Sequence, residues 1–219
     1  MTDTQIVTPA TRELLVPGKG TVHNRTAQLV LEGEREVVRL DARPGHGIAW
    51  WHGVAFDTGT IAFEVRGKNE LQRSFVGIAF HGACGGEEPD DLSHGDGLSC
   101  EAVYFRPFNF LSEDPERRSH MVQYVFPSEH HWQPLRERRP GQFEATVTPI
   151  PDPDDWFSAR VVVSERTVSV YVNACDTPSL VAQRLCARRG GWVGYWVGHG
   201  SDGAFSGLTI KAATATHGS

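Results

Sequence analysis

Lysine, methionine and cysteine are all scarce: three lysines stand against 18 arginines, methionine occurs twice, and four cysteines are spread over 219 residues. Cys84, Cys100, Cys175 and Cys186 form no C-x-x-C pair, so free thiols behaving as small buried hydrophobes, in a cytoplasmic chain, are the expected state. No run of 18 apolar residues occurs, which leaves no helix to cross a bilayer and no membrane partner to expect. The opening MTDTQIVTPATRELLVPGKG has acids early and no long apolar run, so it does not read as a secretory signal. Cations are also in deficit: 27 acidic residues against 21 basic ones give a net charge of -6. That balance argues against nucleic acid as a partner, because phosphate binding needs clustered cations. No G-x-S-x-G, Walker or dinucleotide pattern is found, so no bound nucleotide is expected.

What the chain does have is ordinary globular material, with 39% hydrophobic and 22% charged residues. That is enough to bury a sizeable core. Short β-rich runs recur between Gly, Pro and Asp: Gln28–Leu31, Glu36–Leu40, Gly59–Arg66, Phe75–His81, Glu101–Phe108, Met121–Phe126, Phe157–Val163, Val168–Asn173, Leu180–Leu185, Gly191–Val197 and Phe205–Lys211. No useful window has a 3.6-residue period. The expectation is an all-β, two-sheet antiparallel sandwich with almost no helix, as one domain over 1–219. Roughly the first 20 and last eight residues are expected as extended or flexible ends. Two long connections interrupt the strands. One, Gly82–Ser99, is acidic; the other, Pro127–Asp155, holds six prolines and cannot supply central strands. Long connections in a compact domain are often functional rims.

Alternation assigns faces. In GTIAFEVR the apolar set is Ile61, Phe63 and Val65, leaving Glu64 and Arg66 outside. In Phe75–His81 the set opposite Val76, Ile78 and Phe80 is Phe75, Gly77, Ala79 and His81. Val103 and Phe105 turn inward, and Tyr104, Arg106 and Phe108 outward. The expectation is one polar, aromatic face collecting Glu64, Arg66, His81, Tyr104, Arg106, Gln123 and Trp196. Its acids, amides and guanidinium groups would bond hydroxyls, and its flat rings would stack on sugars.

The runs FEVRGKN (Phe63–Asn69), SFVGIAFHG (Ser74–Gly82) and EAVYFRPFNF (Glu101–Phe110) resemble the bacterial concanavalin A-like lectin/glucanase proteins, grouped near laminin-G-like and 3-keto-disaccharide hydrolase domains. HMVQY, DPDDWF, VSVYVN and VGYWVGHGSDGAFSGLTI follow in matching order, so the likeness runs from Val54 to Ile210. It implies a jelly roll whose concave sheet face could hold a carbohydrate. The paired-acid signature of true glucanases, E-x-D-x-x-E, is missing.

Glycoside hydrolysis needs two facing carboxyl groups. Glu64 and Glu101 are the candidate pair, although alternation groups Glu101 with Val103 and Phe105. His81 is a candidate acid or base. Arg66, Tyr104, Arg106, Asn109, His120, Gln123, Trp132 and Trp196 are candidate ligand-binding residues, with Arg136 beside Trp132 at the rim. No metal ligands or cofactor are assigned. The acids Glu87, Glu88, Asp90, Asp91 and Asp96, or Asp202, offer oxygens of the type calcium takes; the first set lacks the D-x-D-x-D-G spacing, which favours a solvated loop, and for Asp202 a turn bonding nearby backbone N–H groups is favoured. The ligand expected is a saccharide or another small molecule. Two alternatives stand: a small-molecule isomerase or cyclase of bacterial secondary metabolism, in keeping with the arginine bias, and a non-catalytic interaction module.

Overall fold

The computed structural model describes residues 4–53, 55–82, 99–127, 129–187 and 189–213. Among them are fifteen strands. The first five are β1 (Thr4–Val7), β2 (Gly20–His23), β3 (Ala27–Glu32), β4 (Arg35–Leu40) and β5 (Gly47–Trp51). The next five are β6 (Gly59–Arg66), β7 (Val76–Gly82), β8 (Glu101–Phe105), β9 (Val122–Val125) and β10 (Glu144–Ala145). The last are β11 (Phe157–Val163), β12 (Thr167–Val172), β13 (Leu180–Gln183), β14 (Trp192–Val197) and β15 (Gly203–Ala213). Two short helices, α1 (Pro115–Arg118) and α2 (Trp132–Arg138), and 3-10 turns at Thr11–Leu15 and Pro107–Asn109 complete the set.

The strands form two antiparallel sheets, as expected of an all-β sandwich jelly roll. The first sheet runs β13-β12-β11-β6-β15-β4-β3, with β1 on the far half of β15. The second runs β10-β9-β8-β7-β14-β5-β2. Between them lies a core of alternate residues from both sheets: Ile61, Phe63 and Val65 from β6, Val76, Ile78 and Phe80 from β7, Val103 and Phe105 from β8, and Val193, Tyr195 and Val197 from β14. Fully burying such a side chain is worth about 1.5–3 kcal/mol. The N-terminal segment is tied down, since β1 pairs along Ile210 to Ala213 and Leu14 is buried.

One consequence overturns a sequence expectation. Consecutive strands β6 and β7 lie in different sheets: β6 pairs with β11 and β15, and β7 with β8 and β14. The chain between Arg66 and Val76 therefore crosses the sandwich. Glu64 and Arg66 face outward from the first sheet, on the opposite side of the molecule from Tyr104 and Trp196. Alternation fixes which way a residue faces relative to its own sheet, but not which sheet its strand joins.

Candidate functional site

The outer face of the second sheet gathers most of the remaining candidates. Register lines up Glu144, Gln123, Tyr104, Gly77, Trp196 and Ile48 across six neighbouring strands from β10 to β5. Gly77 is the space in the middle of that row. A Cβ there would lie 2.0 Å from the Val103 carbonyl oxygen and 2.6 Å from the Tyr104 Cα. Without it, the Tyr104 and Trp196 rings stack across the gap at 4.8 Å between centroids.

Arg106 follows β8, where Pro107 ends the strand and opens a 3-10 turn. Its guanidinium donates to the His120 carbonyl (3.0 Å), the Tyr104 hydroxyl (2.9 Å) and Gln123 Oε1 (2.8 Å). It also lies 4.9 Å from the Tyr104 ring centroid and 5.8 Å from that of Phe75. Burial pulls its pKa below the usual guanidinium range and pushes the Tyr104 phenol up. Asn109 Nδ2 donates to the same His120 carbonyl, and its Oδ1 accepts from Arg117. His120 is pulled below the ordinary imidazole range by burial, an effect that nearby Arg136 and Arg106 reinforce and Glu144 opposes. Arg136 of α2 grips Glu144 through three contacts of 2.7–3.1 Å.

The second long connection folds back over this face. Leu135 of α2 is buried, while Trp132, at the start of the helix, stays 43% exposed with the Arg136 guanidinium 4.9 Å from its ring centroid. Arg25 closes the opposite end by donating to the Gly45 and Gly198 carbonyls, and the Gly45 N–H donates to His199 Nδ1. Between these walls lie two adjoining cavities sharing Phe75, Trp132 and His199. One, of ≈ 140 Å³, reaches down to Tyr104 and Trp196; the other, of ≈ 550 Å³, is bordered by Arg106, Asn109, Arg117, His120 and Arg136. Together they make one groove with ring faces on its floor and hydrogen-bond donors along one wall.

The three candidate catalytic residues lie elsewhere, which corrects the two-carboxylate expectation. Glu101 points between the sheets and is fully buried. His81 should have faced outward with Gly77 and Ala79, but its φ of +55° breaks the alternation and turns it inward, also fully buried. His81 Nδ1 lies 2.5 Å from Glu101, and Nε2 donates to the Asp57 carbonyl at 2.7 Å. Arg184, just after β13, donates to Glu101 at 2.9 Å, and the Tyr124 hydroxyl donates to the other carboxylate oxygen. Burial alone would raise the Glu101 carboxyl, but hydrogen bonds from His81, Tyr124 and Arg184 hold it below the usual carboxylate range. Burial, with the neighbouring Glu101 charge, pushes the Tyr124 phenol well up. This is a sealed ionic cluster joining the edge of one sheet to the heart of the other. Glu64 pairs with Arg35 at 3.4 Å. Arg66 pairs with Glu32 at 2.7 Å and lies 4.8 Å from the Trp156 ring centroid. Of the three proposed catalytic groups, His81 and Glu101 meet in the interior and Glu64 lies on the other sheet, so no two of them flank an open space among the described residues.

Sequence reasoning missed Arg117, His46 and His199 as groove residues, because each sits in a connection whose fold alternation does not encode. Among the described residues, no three His, Cys, Asp or Glu side chains converge to hold a metal ion. Asp202 is tied to Lys68 at 2.5 Å, and the acidic run holding Glu87, Glu88, Asp90, Asp91 and Asp96 lies outside the described residues. Of the cysteines, Cys100 is buried as expected, Cys175 and Cys186 are only partly covered, and Cys84 lies outside the described residues.

No family model matches the sequence, and no curated protein matches it. Solved structures do. A Bacillus subtilis protein of unknown function with a galectin-like fold aligns over 96% of this chain and 100% of its own, with a TM-score of 0.57 and 13% identity. The VIP36 exoplasmic/lumenal domain, solved in a Ca2+/Man3GlcNAc-bound form, aligns over 97% and 92%, with a TM-score of 0.54 and 15% identity. The carbohydrate-binding module CBM66 from Bacillus subtilis aligns over 88% and 95%, with a TM-score of 0.51 and 11% identity. At these identities the likeness is one of fold. The chain has the lectin-type, galectin-like jelly-roll fold that the resemblance to concanavalin A-like proteins implied.

Proposed function

We propose that this protein binds a saccharide in the groove on the outer face of its second sheet, and that it does so without cleaving it. The observation that carries the reading is Trp132, a large aromatic left 43% exposed at the mouth of a groove floored by Tyr104 and Trp196. An indole held open to solvent beside fixed donors suits the apolar face of a sugar ring, with hydroxyls turned towards Arg106, Asn109 and His120. Lectin-type neighbours add weight at the level of fold. Hydrolysis is disfavoured because no Asp or Glu among the described residues borders either cavity, whereas glycosidase chemistry requires two carboxyl groups across the bond. The isomerase or cyclase alternative would draw on the cavity above Tyr104 and Trp196, but the acid–base groups there are imidazoles and the Tyr104 phenol, which burial pushes up.

A glycan array probed with the purified chain tests this. The wild type should retain a restricted set of glycans, and Trp132→Ala should lose them while melting within about 2 °C of wild type, since an exposed ring contributes little to the core. Retention of the same glycans by Trp132→Ala, or of none by either protein, would reject the proposal.

A further inference from the structure

We infer that the saccharide taken by this groove is an acidic one, carrying a carboxylate or a sulfate near Arg106 and Arg117; the inference rests on the saccharide reading above. Arg106 is 5% exposed, and every hydrogen bond it makes goes to a neutral acceptor: the His120 carbonyl, the Tyr104 hydroxyl and Gln123 Oε1. Arg117 is half-buried and bonds only Asn109 Oδ1 (3.1 Å) and the Phe108 carbonyl (2.8 Å). Among the described residues no carboxylate lies within ion-pair distance of either. Arg136, by contrast, is neutralised by Glu144, which also reaches His120 Nε2 at 3.2 Å. The next acid, Glu116, is exposed and acts on His120 only through its charge.

The groove wall thus holds two guanidinium groups with no ion-pair partner among the described residues, Glu144 acting on Arg106 only at a distance, in a chain whose formal net charge is -6. Removing a cation from water without an opposite charge is costly. The Gln123 Nε2 donor, buried with no partner, tilts the local balance further towards donors. A ligand bearing only hydroxyls would leave the two charges as they are. A carboxylate or sulfate offers the oxygens that a guanidinium fork holds best, through short charge-assisted hydrogen bonds.

The test uses the full chain against lactose, sialyllactose and sulfolactose by titration calorimetry, with an array of neutral and acidic glycans run in parallel. Acidic glycans should bind on the order of tenfold tighter than their neutral parents, and the advantage should shrink as salt is raised. Sialyllactose alone showing the gain identifies a carboxylate ligand, and sulfolactose alone a sulfate. Arg117→Gln, at a half-buried site, should reduce the ratio of acidic to neutral affinity several-fold while the melting temperature holds. Arg106→Lys, which keeps a charge but loses the planar fork, should reduce the same ratio. Neutral glycans bound as tightly as acidic ones would overturn the inference and leave the saccharide reading standing. Retention of no glycan of either kind would overturn both.

Discussion

Replacing Glu101 by Ala should unfold the molecule far more readily without touching the groove. The carboxylate is completely buried and receives hydrogen bonds from His81, Tyr124 and Arg184. Its removal takes away the buried carboxylate that His81 and Arg184 share and leaves the Tyr124 hydroxyl with the Leu185 N–H, which donates to it at 3.0 Å. Breaking a buried ion pair by deleting one partner costs about 3–5 kcal/mol. In a chain of this size each kcal/mol moves the melting temperature by about 2–4 °C, so a drop of roughly 10 °C follows. The dependence on pH separates charge from packing. Because the folded state holds the Glu101 carboxyl below its usual range, its contribution is complete above that range and fades as pH falls through the lowered value. The stability gap between wild type and Glu101→Gln should therefore narrow on acidification. Urea unfolding of both proteins at several pH values measures it. A variant as stable as wild type but defective in turning over a glycoside would refute the structural role and restore a catalytic one.

Other substitutions follow from the same geometry. Gly77→Ala should be strongly destabilising, by more than the ~1–3 kcal/mol typical of overpacking, because its Cβ would meet strand backbone rather than a movable side chain; soluble yield and thermal melting read this out. Glu64→Ala and Arg66→Ala, on the far sheet, should leave glycan retention on the array unchanged and cost under about 1 kcal/mol each, as partly exposed ion pairs do. Phe63→Ala, buried between the sheets, should cost ~3–5 kcal/mol by denaturant unfolding with glycan specificity kept in the folded fraction.

The strand alternation was legible wherever one face is buried and the other is not. GTIAFEVR reads buried at Ile61, Phe63 and Val65 and half-covered between, and β11 and β12 show the same rhythm. Strand β5, GIAWW, escaped because it carries no polar residue to mark one face, whereas the equally buried β7 and β8 carry His81, Glu101 and Tyr104. The break after β8 was misplaced at Phe108, although Pro107 ends the ladder two residues after Phe105. Helix α2 escaped because its seven residues bury only Leu135 and leave no apolar stripe to count.

The site divides along the same line. Tyr104, Arg106, Gln123 and Trp196 share one face because their strands are neighbours in one sheet, and Asn109, His120 and Trp132 join them through the connections that fold back over it. Glu64 and Arg66 were grouped with them on parity alone, and a crossover of the sandwich separates them. His81 was misassigned by a single left-handed residue, which no alternation rule anticipates.

A crystal structure of the protein soaked with the glycan it retains most strongly on the array bears most directly on the central claim. The sugar is expected between Trp132 and Arg106, one ring face against the indole and its oxygens towards Arg106, Arg117 and His120. Density for the glycan on the first sheet instead, beside Arg35, Arg66 and Trp156, would contradict it.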